Sequence, residues 1–467
     1  MNRQSPTYEN QTLGTRVAPE SAWAAYWPTP ESPWTLAKAA HLLRRVGLGG
    51  NWQELQDTFS DGPQKALERL LRRPPDWEAF HQEFDELLFR AARTQGEVGL
   101  AAWWLRRMIV SPYPLEEKLL LFWHSHFAVS ARRVGDPVLM ADYLQKLRKV
   151  AFGSWEEVLS EVTQHPAFLL SAGATAHRRA QPNTAWGKYF LTHIGFGPHG
   201  LSLASAEEVA RVWTGWFVVN KNMRFVISEH DPRPKELLGE TGDLQVADLV
   251  RLVASHPASH THIVRKLYRW FVSDVDDPTD EFLAPLAGEL AQKAPISRVL
   301  ERMFRSMWFF SEAAYRAKIK SPVDLAVGIC RTTSVIQPTT PLANALSAIG
   351  QDLCNPPTFD GWPGGQAWIN PHTYLARKNL AVSLLHGLPP YRAPDLWELA
   401  HGAGITSLDR LPQFYLELLY QGDLDENTRE RLSRHWEKLR SETSYTPGGL
   451  AKSFILELIK LPEFELV

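Results

Sequence analysis

Cysteine is nearly missing from this chain: Cys330 and Cys354 are all that 467 residues contain. So few exclude a disulfide framework and a cysteine-built zinc site, and they read most simply as two free thiols in a reducing compartment. No run of about 18 apolar residues occurs, so no transmembrane segment is expected. The N-terminal stretch MNRQSPTYENQTLGTRVAPE has no apolar leader core, and a cytoplasmic protein is the expectation. An excess of one charge is also lacking, with 50 Lys and Arg against 52 Asp and Glu and a formal net charge of −2. That balance gives no broad electrostatic footprint for nucleic acid, anionic membrane or acidic substrate, and no nucleic-acid partner is expected. Walker, dinucleotide, GxSxG, HExxH and EF-hand motifs are all absent, which leaves the standard nucleotide, flavin, serine-hydrolase and zinc-protease chemistries without support.

What the chain does have is 44% hydrophobic residues, enough to bury a large core, arranged mostly at helical spacing. In SPWTLAKAAHLLRRVGLGG, Ser32 can cap, Pro33 suits the first turn, Leu36, Ala39, Leu43 and Val46 share a face, and Gly47 stops the helix. A second helix is expected over 206–219, capped by Ser205, with Val209, Val212, Trp213 and Trp216 as its stripe. Others are expected after Pro257 and Pro322 and at 64–72, 97–110, 115–127, 139–150, 376–386, 426–440 and 449–460. Long alternating strands are not visible. The fold class is therefore all-α or mainly α, an intertwined multi-helix unit over 32–467 broken by Pro- and Gly-rich loops. Residues 1–31 are expected to be extended or poorly ordered, tacked down by Trp23, Tyr26 and Trp27.

Three groups of residues could carry chemistry. FWHSHF at 122–127 places His124 and His126 two apart, a spacing that lets both face a divalent metal ion on a strand but not within a helix. His230 and Asp231 stand in the polar loop HDPRPK, where they could serve as general base and orienting group, and Arg211 lies in the preceding helix. An ion pair inside the fold is the commoner role for an arginine so placed. The loop PPTFDGWPGGQAWIN at 356–370 combines Trp362, Gly364, Gly365 and Trp368, a rigid shape that could line a binding groove or plug a core. His260 falls on the apolar stripe of its helix with Val264, Leu267 and Phe271 and reads as a buried, hydrogen-bonded histidine.

Taken in order, AHLLRRVGLG, PLEEKLLLFWHSHFAV, ARVWTGW, the HD…K..LG loop at 230–239, SHPASHTHIVRKLYRWFVSD, KSPVDLAVGICR, GQDLCNPPTFDGWPGGQAWIN and LPEF resemble the bacterial family of domain of unknown function 1800. The resemblance implies a helical fold over nearly the whole chain and no established activity. It also implies an envelope or secreted setting as the alternative to the cytoplasm, and a partner resembling the alkaline-phosphatase and sulfatase superfamily. The family pattern includes a carboxylate-rich helix, Pro-Asn-Glu-Asn-aromatic-Ala-Arg-Glu-Leu-x-Glu-Leu, where this chain has PNTAWGKYFLTH at 182–193. Pro182, Asn183 and Trp186 match, Thr184, Tyr189 and Thr192 replace the three glutamates, and Lys188 replaces the arginine.

Two functional readings follow. The first is a divergent, non-catalytic binding or assembly protein acting with a protein or glycan partner, using the aromatic loop. The alternative is a metal-assisted hydrolase using His124, His126, His230 and Asp231, with Arg211 holding an anionic group.

Overall fold

Prolines and glycines punctuate the chain where its helices begin and end, and the computed structural model describes residues 17–442 and 446–467. The expectation for residues 1–16 lies outside the described residues. About 65% of the chain is helical, and apart from isolated bridges the β-structure among the described residues is two short antiparallel hairpins. No helix among the described residues is long and apolar enough to cross a membrane.

The elements that position the candidate site are, in chain order, α1 (Leu36–Val46), α2 (Trp77–Val110), α3 (Pro114–Phe127), α4 (Pro137–Val150), α5 (Thr184–Tyr189) and α6 (Ala206–Trp213). The hairpins follow, β1 (Trp216–Val219) with β2 (Asn222–Phe225) and β3 (Lys235–Leu237) with β4 (Glu240–Gly242). Then come α7 (Val246–Ser255), α8 (Pro257–Phe271), α9 (Pro322–Thr333), α10 (Pro371–His386) and α11 (Pro447–Lys460).

The expected start of α1 is three residues early. Thr35, not Ser32, caps it by accepting from the Lys38 backbone N–H. Lys38 Nζ instead binds Ser32 Oγ at 2.8 Å and the Pro33 carbonyl at 3.0 Å, holding that dipeptide outside the helix. The α9 start follows the sequence signal, with Ser321 and Asp324 forming a reciprocal capping box. In residues 17–31, Trp23 and Tyr26 are buried and Trp27 is exposed; a short helical turn spans Pro19–Ala22.

The helix expected over 206–219 ends at Trp213. Gly215 takes φ +90°, a value that stops a helix and that side chains with a Cβ rarely adopt. The WFVV run then becomes strand β1, paired Trp216 to Phe225 and Val219 to Asn222. Asn220 and Lys221 both have positive φ, as a two-residue hairpin turn requires.

Helix α3 is the buried axis of the molecule: every residue from Leu115 to Phe127 is buried. Its charged residues are therefore all paired. Glu117 accepts from Arg107 Nε at 2.7 Å, Arg148 at 2.5 Å and the Trp104 indole at 3.1 Å, locking α3 to α2 and α4. Burial alone works against the Glu117 charge, but Arg148 and Arg107 hold its carboxyl below the usual range. Lys118 Nζ reaches the Arg44 and Gly47 carbonyls at 2.6 and 2.8 Å, which ties α3 to the end of α1.

Candidate functional site

The two histidines of FWHSHF lie inside α3, whose last residue is Phe127 and whose cap, Ala128, is left-handed. Two residues apart on a helix means about 200° of rotation, so the rings diverge. His124 is enclosed by the rings of Trp104, Tyr143 and Trp362, with centroids 5.5, 6.3 and 5.5 Å away. Neither of its ring nitrogens has a partner among the described residues. Burial pushes its imidazole down to about 3, so it stays neutral. His126 points the other way, among Phe127, Trp155 and His262.

His230 and Asp231 also part company with that pair. His230 Nδ1 meets the Thr214 carbonyl at 2.9 Å and Nε2 meets Asp243 at 3.1 Å. Asp231 accepts from Arg233 at 2.6 Å and from Arg211 Nε at 2.9 Å, while its backbone N–H donates to Thr214 Oγ1. Hydrogen bonds from Arg233 and then Arg211 hold its carboxyl far below the usual range, which makes it a poor proton acceptor. Arg211 also binds Glu208 at 2.8 Å and the Arg233 and Pro234 carbonyls at 3.2 Å. Every arm of that guanidinium is engaged within the chain, so the group pins α6 to the 230–243 segment. Among the described residues no three or more His, Cys, Asp or Glu side chains are placed to hold a metal ion. The convergence of His124, His126, His230 and Asp231 expected of a metal site is not formed, because α3 turns its two rings apart and the His230–Asp231 loop is occupied by its own ion pairs.

The aromatic loop is a plug. Trp362 and Trp368 are each 6% exposed, so of the two roles open to this loop, lining a groove or plugging a core, the rings take the second. Trp362 covers His124, and its backbone N–H donates to Ser125 Oγ at 3.2 Å. The contact requires glycine beside it: a Cβ at Gly361, where φ is +88°, would stand 2.3 Å from Ser125 O and Oγ. Gly364 is exposed, whereas Gly365 is buried against Asp274. Cys330 and Cys354 are buried, free thiols, and burial pushes Cys330 up to about 12, which favours its protonated form at neutral pH.

The polar cluster that does form lies where α3, α5, α8 and this loop meet, and its members are largely outside the sequence candidates. Lys266 Nζ stands 3.0 Å from His126 Nδ1. His262, one turn earlier on α8, faces the same ring at 6.1 Å and engages the backbone of His193. His193 belongs to a π-helical turn, Phe190–Gly195, that continues α5, a distortion often found at functional sites. Thr192 Oγ1 binds His193 Nδ1 at 2.8 Å, and His193 Nε2 lies 3.4 Å from Asp360, whose side chain is 83% exposed. The cluster thus grades from solvent at Asp360 to the interior at His126. The loop is fixed over it by Phe359, which packs on Tyr189 at 4.9 Å and under Arg133 at 4.9 Å.

Lys266 makes no ion pair among the described residues and uses one of its three N–H donors on protein, the bond to His126. Burial draws its ammonium down to about 8, with only the more distant Asp360 favouring the charge. Burial likewise pushes His262 down to about 3 and His126 well below its ordinary value, with the Lys266 charge adding to both. His126 Nε2 and His262 Nε2 are buried without partners among the described residues. The result is one cation and two neutral imidazoles with unspent hydrogen-bonding capacity, and among the described residues no carboxylate stands within ion-pair distance of the cation. The sequence signal for it is the i, i+4 pair His262 and Lys266, which share a helix face; nothing in the sequence reveals that His126 and His193 meet that face.

A model of the family described as "Protein of unknown function (DUF1800)" matches residues 41–466. No curated protein and no solved structure matches the chain.

Proposed function

The chain belongs to the DUF1800 family, a family of unknown function, and from that premise we propose that this member is a non-catalytic binding protein whose partner presents an anionic group to Lys266. The observation that carries the reading is the Lys266 ammonium itself, drawn into the fold beside His126 with two free donors and no ion-pair partner among the described residues. A charge held this way costs stability, and an arriving carboxylate, phosphate or sulfate supplies the charge-assisted hydrogen bonds it lacks. Neutral His126 and His262 add directional contacts without a competing charge. Tyr189 and Thr192, which stand where the family pattern has glutamates, border the cluster without adding negative charge that would repel such a group. The two buried, unpaired thiols favour a reducing, cytoplasmic setting.

Isothermal titration of the purified chain with phosphate, sulfate and acetate, beside Lys266→Met, tests the reading. Saturable binding of at least one anion, weakened tenfold or more in the variant, is the expected result. Absence of saturable binding by all three, or equal binding by both proteins, rejects it.

A further inference from the structure

A second place in the molecule, remote in composition from the Lys266 cluster, is an open cavity of about 90 Å³ between α1, α9, α10 and the C-terminal segment. Buried Leu43, Ile329 and Leu385 are among its apolar lining, and the half-buried Arg44, Arg316, Lys320 and Glu463 form a charged rim on which Arg316 is already paired with Asp423 at 3.3 Å. For scale, an apolar cavity of about 150 Å³ takes benzene, so the enclosed part of this open cavity takes only a small branched side chain, and the charged head of its ligand stays at the mouth.

The rim holds unsatisfied groups of both signs. Arg44 donates through one terminal nitrogen to Gln421 at 3.0 Å, but its Nε is buried without a partner among the described residues. Lys320 uses one donor, on the Phe464 carbonyl at 2.6 Å. Glu463 Oε2 is buried and accepts no hydrogen bond from the described residues. The other carboxylate on the lining, Asp324, is already bound to Lys118 at 3.2 Å and caps its own helix. The cations repel one another: burial and then the Arg44 charge bring Lys320 down to about 7, while burial also lowers Arg44. A carboxylate seated between Arg44 and Lys320 relieves that repulsion, an ammonium on Glu463 satisfies its orphaned oxygen, and the apolar lining accepts a short branched chain.

We propose that this cavity binds a free α-amino acid with a small branched apolar side chain, its carboxylate on Arg44 and Lys320 and its ammonium on Glu463. The site does not depend on Lys266. Gly328 provides a way to close it: it lies within α9, lines the cavity, and a Cβ added there meets only the Leu48 carbonyl, at an ordinary 3.8 Å.

The test is isothermal titration with L-valine, with isovalerate, which lacks the ammonium, and with isobutylamine, which lacks the carboxylate. The expected result is one-to-one binding of valine, at least tenfold weaker binding of both analogues, and at least a tenfold loss in Lys320→Met. Gly328→Leu should abolish valine binding while leaving the circular dichroism spectrum unchanged. Anion binding that requires Lys266 should persist in Gly328→Leu, which separates failure of this site from failure of the other. No binding of valine overturns the proposal, as does equal binding of isovalerate or full affinity in both variants.

Discussion

Replacing Lys266 by methionine should stabilise the protein at neutral pH while removing its anion site. The ammonium is held down to about 8 from its ordinary 10.5, which corresponds to about 3 kcal/mol of unfavourable burial. The residue is only partly buried, so screening reduces this to about 2 kcal/mol. Methionine loses the hydrogen bond to His126 Nδ1, worth about 1 kcal/mol, and keeps an apolar chain of similar length. A net gain of about 1 kcal/mol at pH 7 follows. The sign with pH is fixed by the lowered value: between pH 8 and 10.5 the unfolded chain binds the proton that the folded chain releases, so wild-type stability climbs through that window. Lys266→Met has no such climb, and its advantage should shrink to nothing by about pH 10. Urea unfolding of both proteins at pH 7 and again near pH 10, at one ionic strength, compares midpoints at equal slope. A variant less stable than wild type by more than about 1 kcal/mol at pH 7, with parallel pH dependence, would refute the claim that this ammonium is desolvated and uncompensated.

The remaining predictions follow from single contacts. Gly361→Ala forces a Cβ to 2.3 Å from Ser125 and should cost about 2–4 kcal/mol, with Trp362 fluorescence shifting red as the plug lifts. Glu117→Gln removes the carboxylate shared by Arg107 and Arg148 and should cost about 3–5 kcal/mol in urea unfolding at pH 7. Because that carboxyl sits below its ordinary 4.5 in the folded protein, wild type should lose this contribution as pH falls below about 4.5 and Glu117→Gln should not. Arg211→Met leaves Asp231 with Arg233 as its remaining guanidinium and should speed hydrogen exchange across 230–243 with little change elsewhere. Metal analysis of purified protein should give no stoichiometric divalent ion, equally in wild type and in a His124→Ala, His126→Ala double variant; stoichiometric metal lost in the double variant would favour the hydrolase reading over this one.

Much of the helical framework was readable from local signals. The Ser205 cap, the Pro322 start, the Gly47 stop and the apolar stripes each act within a few residues, so the sequence carries them directly. The strand at Trp216–Val219 was missed because its stripe fits a helical period as well as a hairpin, and only the positive φ at Gly215, Asn220 and Lys221 decides between them. The site was less legible for the same reason extended across the chain. His124 and His126 were conspicuous by spacing, yet α3 sends one ring among aromatics and the other to Lys266, which is 140 residues away. Arg211 and Asp231 were conspicuous as charges, and their partners turned out to lie within 23 residues and to consume them fully. Lys266 itself carries no motif. Its significance is the carboxylate it does not meet, and that is a property of the packed fold.

The most direct test of the central claim is a crystal of the protein soaked in bromide and measured at the bromine edge. The account predicts an anomalous peak within hydrogen-bonding reach of Lys266 Nζ, bordered by His126 and His262, that is absent from Lys266→Met crystals. Bromide at other surface positions in the same crystals with none at Lys266 would contradict it.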